Sequence, residues 1–397
     1  MTKLILAAML SLFQATGNPA QSTPPGEQQP RSSALEQRIQ RIQDHIKTSV
    51  FGRGLVDGPT LADHMAALHV PGVSIAVIQD GAIAWARGFG VTRIGGPAVT
   101  PDTLFQAASI SKPVSALAVL RLVESGKLNL DTDVNQYLKT WKVPENQFTS
   151  RAKVTLRTLL THTAGMTVRG FPGYAANTPL PTVVQILKGE PPANTPRIVV
   201  DTVPGRSGRY SGGGYVVAQQ LLEDVTGIPF PQLMRDSVLA PIGMTRSTFE
   251  QRLPASWLQA VATPYDSEGR AVPGGPHVYP EMAPAGLWTT PSDLARFAIE
   301  VQKALAGKSA VVSAAMARQM WTPNGQGPGT QTGGRPEFPF AYSGSNEGYK
   351  CYLVAYSNGD GAVVMTNGNN GALLALDIVS TIADEYKWPG LSVNTVF

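Results

Sequence analysis

Apolar runs near both ends of the chain predict paired β-strands. Residues 73–78 and 82–86 are strand-like, and Asp80-Gly81 between them is typical of a tight hairpin turn. Residues 349–356 and 362–366 form a second pair of strand-like runs around a turn rich in Asn, Asp and Gly. The pattern therefore predicts one hairpin early in the chain and one late.

Helical periodicity dominates the stretches outside these hairpins. From Leu35 to Ile46, apolar residues recur at spacings of four, three and four, which is one face of a helix. Thr60 is placed to open a short helix, and Thr290-Pro291-Ser292-Asp293 reads as a capping box with proline at the first helical position. Further helices are predicted over residues 109–123, 213–226, 230–239, 291–305 and 372–386.

Strands thus cluster at the two ends and helices in the middle, which predicts an α+β fold of the α/β sandwich type. An antiparallel sheet formed by the N- and C-terminal segments would be flanked by helices. We expect residues 34–108 and 290–397 to form this sheet domain and residues 109–289 to form a mainly helical inserted domain. The active site would lie at the interface between the two layers.

Composition narrows the classes of function. The chain has 397 residues, of which 43% are hydrophobic and 15% charged, as in ordinary globular proteins. Its net charge of +4 is scattered, so no nucleic-acid partner is predicted. Cys351 is the only cysteine, which excludes an intramolecular disulfide, and it is predicted to be a small core residue. The histidines lack ligand spacing, and we predict no metal and no cofactor.

Residues 1–17 are predicted to be a signal peptide. Lys3 supplies a positive start, residues 4–13 are apolar, and Ala15-Thr16-Gly17 offers small residues for cleavage after Gly17, with Ala20 as a second possible cleavage site. Residues 18–33, rich in Pro, Gln and Ser, are predicted to be a disordered linker. We therefore expect a periplasmic or secreted bacterial protein. The apolar run is too short to span a membrane, and the alternative is a buried N-terminal helix.

Ser109 and Lys112 form a Ser-x-x-Lys pattern at the start of an apolar helix. On a helix they share a face, so the lysine could activate the serine as a nucleophile if its surroundings keep it neutral. The backbone N–H of Ser109 would point to a developing oxyanion. Ser150 and Lys153 match the same pattern, but they lie in a polar connector and are interpreted as solvated side chains.

Two further segments could complete an active site. Tyr210 lies in a glycine-rich loop directly before a helix, where it could exchange protons with a serine hydroxyl, or simply pack at the loop edge. Tyr342-Ser343-Gly344-Ser345 precedes a strand-like run, so a substrate could lie along it and the N–H of Ser345 could complete an oxyanion hole. The alternative for this segment is a turn between strands.

The order of these three segments resembles that of the serine β-lactamase and penicillin-binding superfamily. The chain is most similar to the class C β-lactamase-like group, which includes family VIII carboxylesterases and D-amino-acid peptidases. Residues 71–77 (PGVSIAV) resemble the first core strand, and residues 159–165 (LLTHTAG) resemble the Leu-Leu-x-His-Thr-Ser-Gly signature. Residues 285–294 (AGLWTTPSDL) resemble Gly-Gly-Leu-x-Ser-Thr-x-x-Asp-Leu. The resemblance spans residues 55–390.

The resemblance implies specific roles. Ser109 would be the nucleophile, Lys112 its proton acceptor and Tyr210 their partner, with the N–H groups of Ser109 and Ser345 forming the oxyanion hole. His162 would be structural. The substrate-binding residues would be Tyr342, Ser343 and Gly344, together with Trp288, which could wall the cleft or be a core aromatic.

Two departures from the family pattern bear on the substrate. Tyr210-Ser211-Gly212 lacks the usual asparagine, and Tyr342-Ser343-Gly344 lacks the Lys or His that would hold a substrate carboxylate. An esterase acting on small ester or amide substrates is therefore favoured. The alternatives are a β-lactamase or D-alanyl-D-alanine carboxypeptidase, and a non-catalytic penicillin- or ligand-binding homologue. The sequence does not predict an oligomeric state.

Overall fold

The structure of the protein is a computed structural model that describes residues 28–50, 54–320 and 340–389. The predicted signal peptide lies outside the described residues, as does the predicted linker up to residue 27. The helices are α1 Gln28–Asp44, α2 Leu61–Ala67, α3 Ser111–Glu124, α4 Leu156–Leu160, α5 Val183–Lys188, α6 Gly212–Thr226, α7 Phe230–Met234, α8 Ala255–Leu258, α9 Met282–Ala285, α10 Pro291–Leu305, α11 Ala314–Met320 and α12 Gly371–Glu385. The strands are β1 Lys47–Val50, β2 Gly54–Asp57, β3 Gly72–Gln79, β4 Ala82–Gly90, β5 Phe105–Gln106, β6 Trp288–Thr289, β7 Phe340–Asn346, β8 Tyr349–Ala355 and β9 Gly361–Thr366.

The chain divides into two compact units, Met1–Arg41 and Ile42–Phe397. The first contains most of α1, which begins at Gln28, so residues 28–33 are helical where the sequence predicts a disordered linker. The helix ends at Asp44, so the last member of the predicted apolar stripe, Ile46, lies outside it. All that follows concerns the second unit.

A five-stranded antiparallel sheet organises the second unit, in the order β4-β3-β9-β8-β7. The early and late strands pair through β3 and β9, with Val77 opposite Ala362. Every residue of β9 is buried, as expected for a central strand whose two faces are both covered. Helices α10 and α12 both pack on this sheet. The predicted α+β fold, with a sheet built from both ends of the chain, is thus confirmed.

Local signals placed the hairpins and most helix boundaries correctly. Asp80 and Gly81 have φ values of 53° and 74°, the conformation that a tight hairpin turn requires. Helix α6 ends at Gly227, whose φ of 68° gives a left-handed cap. Thr290 caps α10 through its side chain, which accepts a hydrogen bond from the Asp293 N–H. The predicted helix over residues 230–239 continues beyond α7 as a π-helical turn.

Strand β7 differs from the sequence prediction. The sequence predicts that this segment precedes a strand or forms a turn, whereas residues 340–346 pair along their whole length with β8 at the edge of the sheet. Small Ser and Gly residues have low strand propensity, and pairing with β8 outweighs it. Strands β1, β2, β5 and β6 were not predicted either. Helices α3 to α9 all fall within residues 109–289, between β5 and β6.

Candidate active site

Ser109 lies in a tight 3-10 turn, residues 108–110, that leads directly into α3. The sequence predicts it at the helix start, and the structure places it in the turn just before. The preceding residue, Ala108, has a φ of 49°, a left-handed conformation that is uncommon outside glycine. Such strained backbone is often found at functional sites, where the surrounding structure holds it.

Lys112 lies in the first turn of α3 and reaches back to the serine. Its Nζ lies 3.0 Å from Ser109 Oγ and donates a second hydrogen bond to the carbonyl oxygen of Pro284 at 2.9 Å. The residue is only 2% exposed. Burial lowers the pKa of Lys112, partly opposed by Tyr210. The lysine therefore has both the position and the environment of a base.

Tyr210 approaches the same oxygen from the loop before α6. Its hydroxyl lies 2.9 Å from Ser109 Oγ, and Lys112 Nζ lies 4.8 Å from the centre of its ring. Burial alone would raise the pKa of Tyr210, but the charge of Lys112 and hydrogen bonds with Lys112, Ser109 and Tyr342 outweigh it and lower the pKa. The serine oxygen thus lies between an amine and a phenol, both primed to lose a proton.

His162 supports the tyrosine and carries no charge. Its ring packs on Tyr210 with 4.4 Å between ring centres and on Tyr215 with 5.4 Å. The Ser211 N–H donates to Nδ1 at 3.2 Å, which leaves the proton on Nε2. Burial and the charge of Lys112 lower the pKa of His162 to about 3. These contacts are those of a neutral residue that positions the Tyr210 ring.

Strand β7 lies against the segment that carries the serine. A Cβ atom at Gly344 would lie 2.2 Å from the carbonyl oxygen of Ala107, so only glycine allows this approach. The Cys351 thiol donates to the same carbonyl at 3.0 Å. On β7, the side chains of Ser343 and Ser345 are exposed. The predicted substrate-binding strand therefore runs beside the Ser109 turn.

Tyr342 lies at the position where the resemblance described above implies a cation. It is 4% exposed, and its interaction with Tyr210 helps to lower the pKa of the Tyr210 phenol. Burial, with the neighbouring Tyr210, raises the pKa of Tyr342, so this phenol stays neutral. It is therefore a neutral neighbour of Tyr210 rather than a charged anchor.

Trp288 is placed elsewhere. It is 4% exposed and packs edge-on against Tyr349, with 5.8 Å between ring centres. It lines a cavity of about 340 Å³ together with Ala176, Gln251, Leu253, Leu258, Val261, Ala262, Thr263, Pro276, His277 and Val278. Ser109, Lys112 and Tyr210 do not line this cavity. The structure thus does not bring Trp288 together with the serine group.

The cations around the site differ in their partners. Arg209 forms an ion pair with Asp201, and Lys350 donates to Asn346 O and Asn369 Oδ1, both at 2.8 Å. Arg169 was not singled out by the sequence, yet its guanidinium carbon lies 5.4 Å from the centre of the Tyr210 ring. The only sequence signal for Arg169 is its proximity to the Leu-Leu-x-His-Thr segment: it lies seven residues after His162.

The second Ser-x-x-Lys match has the predicted solvated character. Ser150 is exposed and donates to the carbonyl oxygen of Gln147. Lys153 pairs with exposed Glu145 at 2.8 Å. Within the described ranges, no three or more His, Cys, Asp or Glu side chains gather as metal ligands would, and no helix combines the length and apolar character needed to cross a membrane.

Comparisons with known proteins identify a family that matches most of the chain. The family model described as Beta-lactamase matches residues 59–382. Protein flp of Staphylococcus aureus strain N315 is 27% identical over 229 residues, which cover 56% of this chain and 42% of the relative, so the match spans less than half of that protein.

Solved structures match over more of the chain. The octameric penicillin-binding protein homologue from Pyrococcus abyssi is 26% identical, with a TM-score of 0.65 over 82% of this chain and 76% of its own. The D-alanine carboxypeptidase AmpC from Burkholderia cenocepacia is 21% identical, with a TM-score of 0.65 over 89% of this chain and 99% of its own, a likeness of fold.

Proposed function

This chain belongs to the beta-lactamase family, and from that premise we propose that it is a serine hydrolase that cleaves small esters or amides through an acyl-enzyme on Ser109. The observation that carries the proposal is the position of one oxygen. Ser109 Oγ lies 3.0 Å from Lys112 Nζ and 2.9 Å from the Tyr210 hydroxyl. A serine hydroxyl so placed has the adjacent base that nucleophilic catalysis needs.

Acylation would begin with transfer of the Ser109 proton to the Lys112–Tyr210 pair. Oγ then bonds to the substrate carbonyl carbon, and the carbonyl oxygen becomes an oxyanion held by the N–H groups of Ser109 and Ser345. When the intermediate collapses, the bond to the leaving group breaks and the pair returns the proton to the departing oxygen or nitrogen. The lowered pKa values of Lys112 and Tyr210 favour this exchange, because each group gives up its proton more readily than it would in water.

Deacylation would use the same groups with water in place of the serine. The pair takes a proton from water, whose oxygen bonds to the acyl carbon as the bond to Ser109 Oγ breaks. The proton then returns to Oγ, and the acid product leaves. His162, with its pKa lowered to about 3, is not needed as a base in either half of the cycle.

Esters are the favoured substrates because of what replaces the family's polar anchors. Ser211 and Gly212 stand where an asparagine amide would be, and the Ser211 hydroxyl donates to the Thr167 carbonyl. Tyr342 offers a neutral hydroxyl in place of a cation. An ester needs neither anchor at these two positions. We further propose a periplasmic or secreted location, with residues 34–108 and 290–397 as the sheet domain and 109–289 as the inserted domain.

Two other functions compete. The likeness to a D-alanine carboxypeptidase favours a β-lactamase or D,D-peptidase. A non-catalytic ligand-binding homologue is favoured only by the departures from the family pattern at residues 210–212 and 342–344. Hydrolysis of p-nitrophenyl esters and of nitrocefin, measured side by side, distinguishes the esterase from the β-lactamase. Turnover of nitrocefin alone would rule out an esterase.

Covalent labelling tests the proposal. A fluorophosphonate probe should add its mass to Ser109, and Ser109→Ala should abolish both labelling and ester hydrolysis. Ser150→Ala is a matched control, because it removes the serine of the second Ser-x-x-Lys pattern and should change neither. Equal labelling of wild type and Ser109→Ala would overturn the assignment.

A further inference from the structure

Arg169 is held at the rim of the site by an unusual backbone. Val168, directly before it, is β-branched yet has a φ of 61°, a strained conformation for such a residue. Two hydrogen bonds fix this segment to the start of α6. The Gly213 N–H donates to the Val168 carbonyl, and the Gly212 N–H donates to the Arg169 carbonyl, both at 3.0 Å. The fold thus holds residue 169 beside Tyr210.

The Arg169 guanidinium lies over the ring of Tyr210. It is exposed, with its central carbon 5.4 Å from the centre of the Tyr210 ring. Among the described residues, no carboxylate forms an ion pair with it, whereas Arg209 nearby is paired with Asp201. A guanidinium over an aromatic ring keeps its N–H edges free to form paired hydrogen bonds to a carboxylate.

No cation is available at the corresponding position beside β7 among the described residues. Tyr342 is neutral, and Lys350, the basic residue of the adjoining strand, is already bonded to Asn346 and Asn369. A cation is therefore available to a ligand beside the Tyr210 ring, where Arg169 lies, and not at the Tyr342 position of β7. This arrangement of charges would affect substrate specificity, because Arg169 would attract an anionic group of a substrate to the Tyr210 side of the site.

We propose that Arg169 binds an anionic group of the substrate, so that the hydrolase prefers esters or amides that carry a carboxylate. The inference rests on the proposed function, because it assigns the substrate class of the same site. Arginine suits this role because it stays charged at all working pH values and can hold both oxygens of a carboxylate at once.

The test compares two esters of similar size. One is p-nitrophenyl butyrate, which is neutral, and the other is the p-nitrophenyl monoester of succinic acid, whose acyl group ends in a carboxylate. We expect the ratio of kcat/KM, anionic over neutral, to fall about tenfold in Arg169→Gln, the effect of losing one charge-assisted hydrogen-bonding partner. Arg169→Lys should retain part of the preference.

Arg206→Gln is the matched control. Arg206 is exposed on the loop before Tyr210, and only Lys112 and Arg169 among the described cations lie over the Tyr210 ring. The control removes the same charge, so its ratio should stay at the wild-type value. A ratio unchanged in Arg169→Gln, or lowered equally in Arg206→Gln, would overturn the proposal.

A binding measurement separates this inference from the proposed function. In Ser109→Ala, the Kd of the anionic ester should rise about tenfold on adding Arg169→Gln, whether or not the wild type hydrolyses it. An unchanged Kd would overturn the anion site. Failure of both esters to be hydrolysed, with the Kd shift present, would overturn the hydrolase proposal and leave the anion site standing.

Discussion

Replacing Glu281 with glutamine should remove a large pH dependence from the stability of the fold. Glu281 precedes α9, the short helix whose Pro284 carbonyl accepts a hydrogen bond from Lys112, and it has no solvent exposure. Its Oε1 accepts a long hydrogen bond from the Tyr174 hydroxyl at 3.4 Å, and its Oε2, which is buried, has no hydrogen-bond partner among the described residues. An ionised carboxylate in such a place is poorly compensated.

The magnitude follows from the pKa. Burial raises the pKa of Glu281 from 4.5 to about 7. Because the folded-state pKa is the higher one, the folded state binds the proton more tightly than the unfolded state. Its contribution to stability is complete below pH 4.5 and is lost as the pH rises through about 7. This shift in the pKa of Glu281 corresponds to a loss of about 3 kcal/mol in the free energy of unfolding between acidic and alkaline solution.

Urea unfolding at about pH 5 and about pH 9 measures this effect. Glutamine has nearly the same shape and never ionises, so Glu281→Gln should gain about 2–3 kcal/mol over wild type between the two pH values. Glu250→Gln, the same change at an exposed position, should track the wild type. If Glu281→Gln and wild type differ by the same amount at both pH values, the carboxyl is not buried in the way described.

Three further predictions concern the site. Lys112→Met should lower kcat for ester hydrolysis by about 10²–10⁴-fold in steady-state assays, because it removes the base while keeping a buried side chain, and an unchanged kcat would exclude Lys112 as the base. Tyr342→Phe should move the rising limb of the kcat/KM pH profile to higher pH, because the lost hydroxyl helps to lower the pKa of Tyr210, and a limb that stays in place would refute that link. Gly344→Ala should lower the free energy of unfolding by about 1–3 kcal/mol, because its methyl group would meet the Ala107 carbonyl, and wild-type stability in urea would contradict that packing.

The sequence predicted the elements that local chemistry determines. Asp80-Gly81 and Gly227 hold the backbone conformations that their turn and cap require, so the hairpin and the end of α6 were predictable from neighbouring residues alone. Ser109 and Lys112 lie one helical turn apart, and their proximity needs only a helix. The sequence predicted that Tyr210 belongs to the same site only through the order of motifs in a known family. No local rule brings residues 101 positions apart into contact.

What the sequence missed depends on tertiary contacts. The pairing of β7 with β8 overrides the low strand propensity of its Ser and Gly residues, and the contact of Tyr342 with Tyr210 exists only once that strand is in place. Arg169 reaches the Tyr210 ring through a left-handed Val168, a conformation that valine's own preferences oppose. Trp288 was a candidate for the cleft wall, but its position in β6 points it to a separate cavity.

The lone cysteine has a practical consequence for studying this protein in motion. The buried Cys351 thiol donates a hydrogen bond to the Ala107 carbonyl, and burial raises the pKa of this thiol. It therefore stays protonated and is shielded from alkylating dyes. A second cysteine introduced at an exposed position, such as Ser343, would then be the one thiol that reacts. The native chain is thus a ready background for attaching a spin label or fluorophore beside the nucleophile.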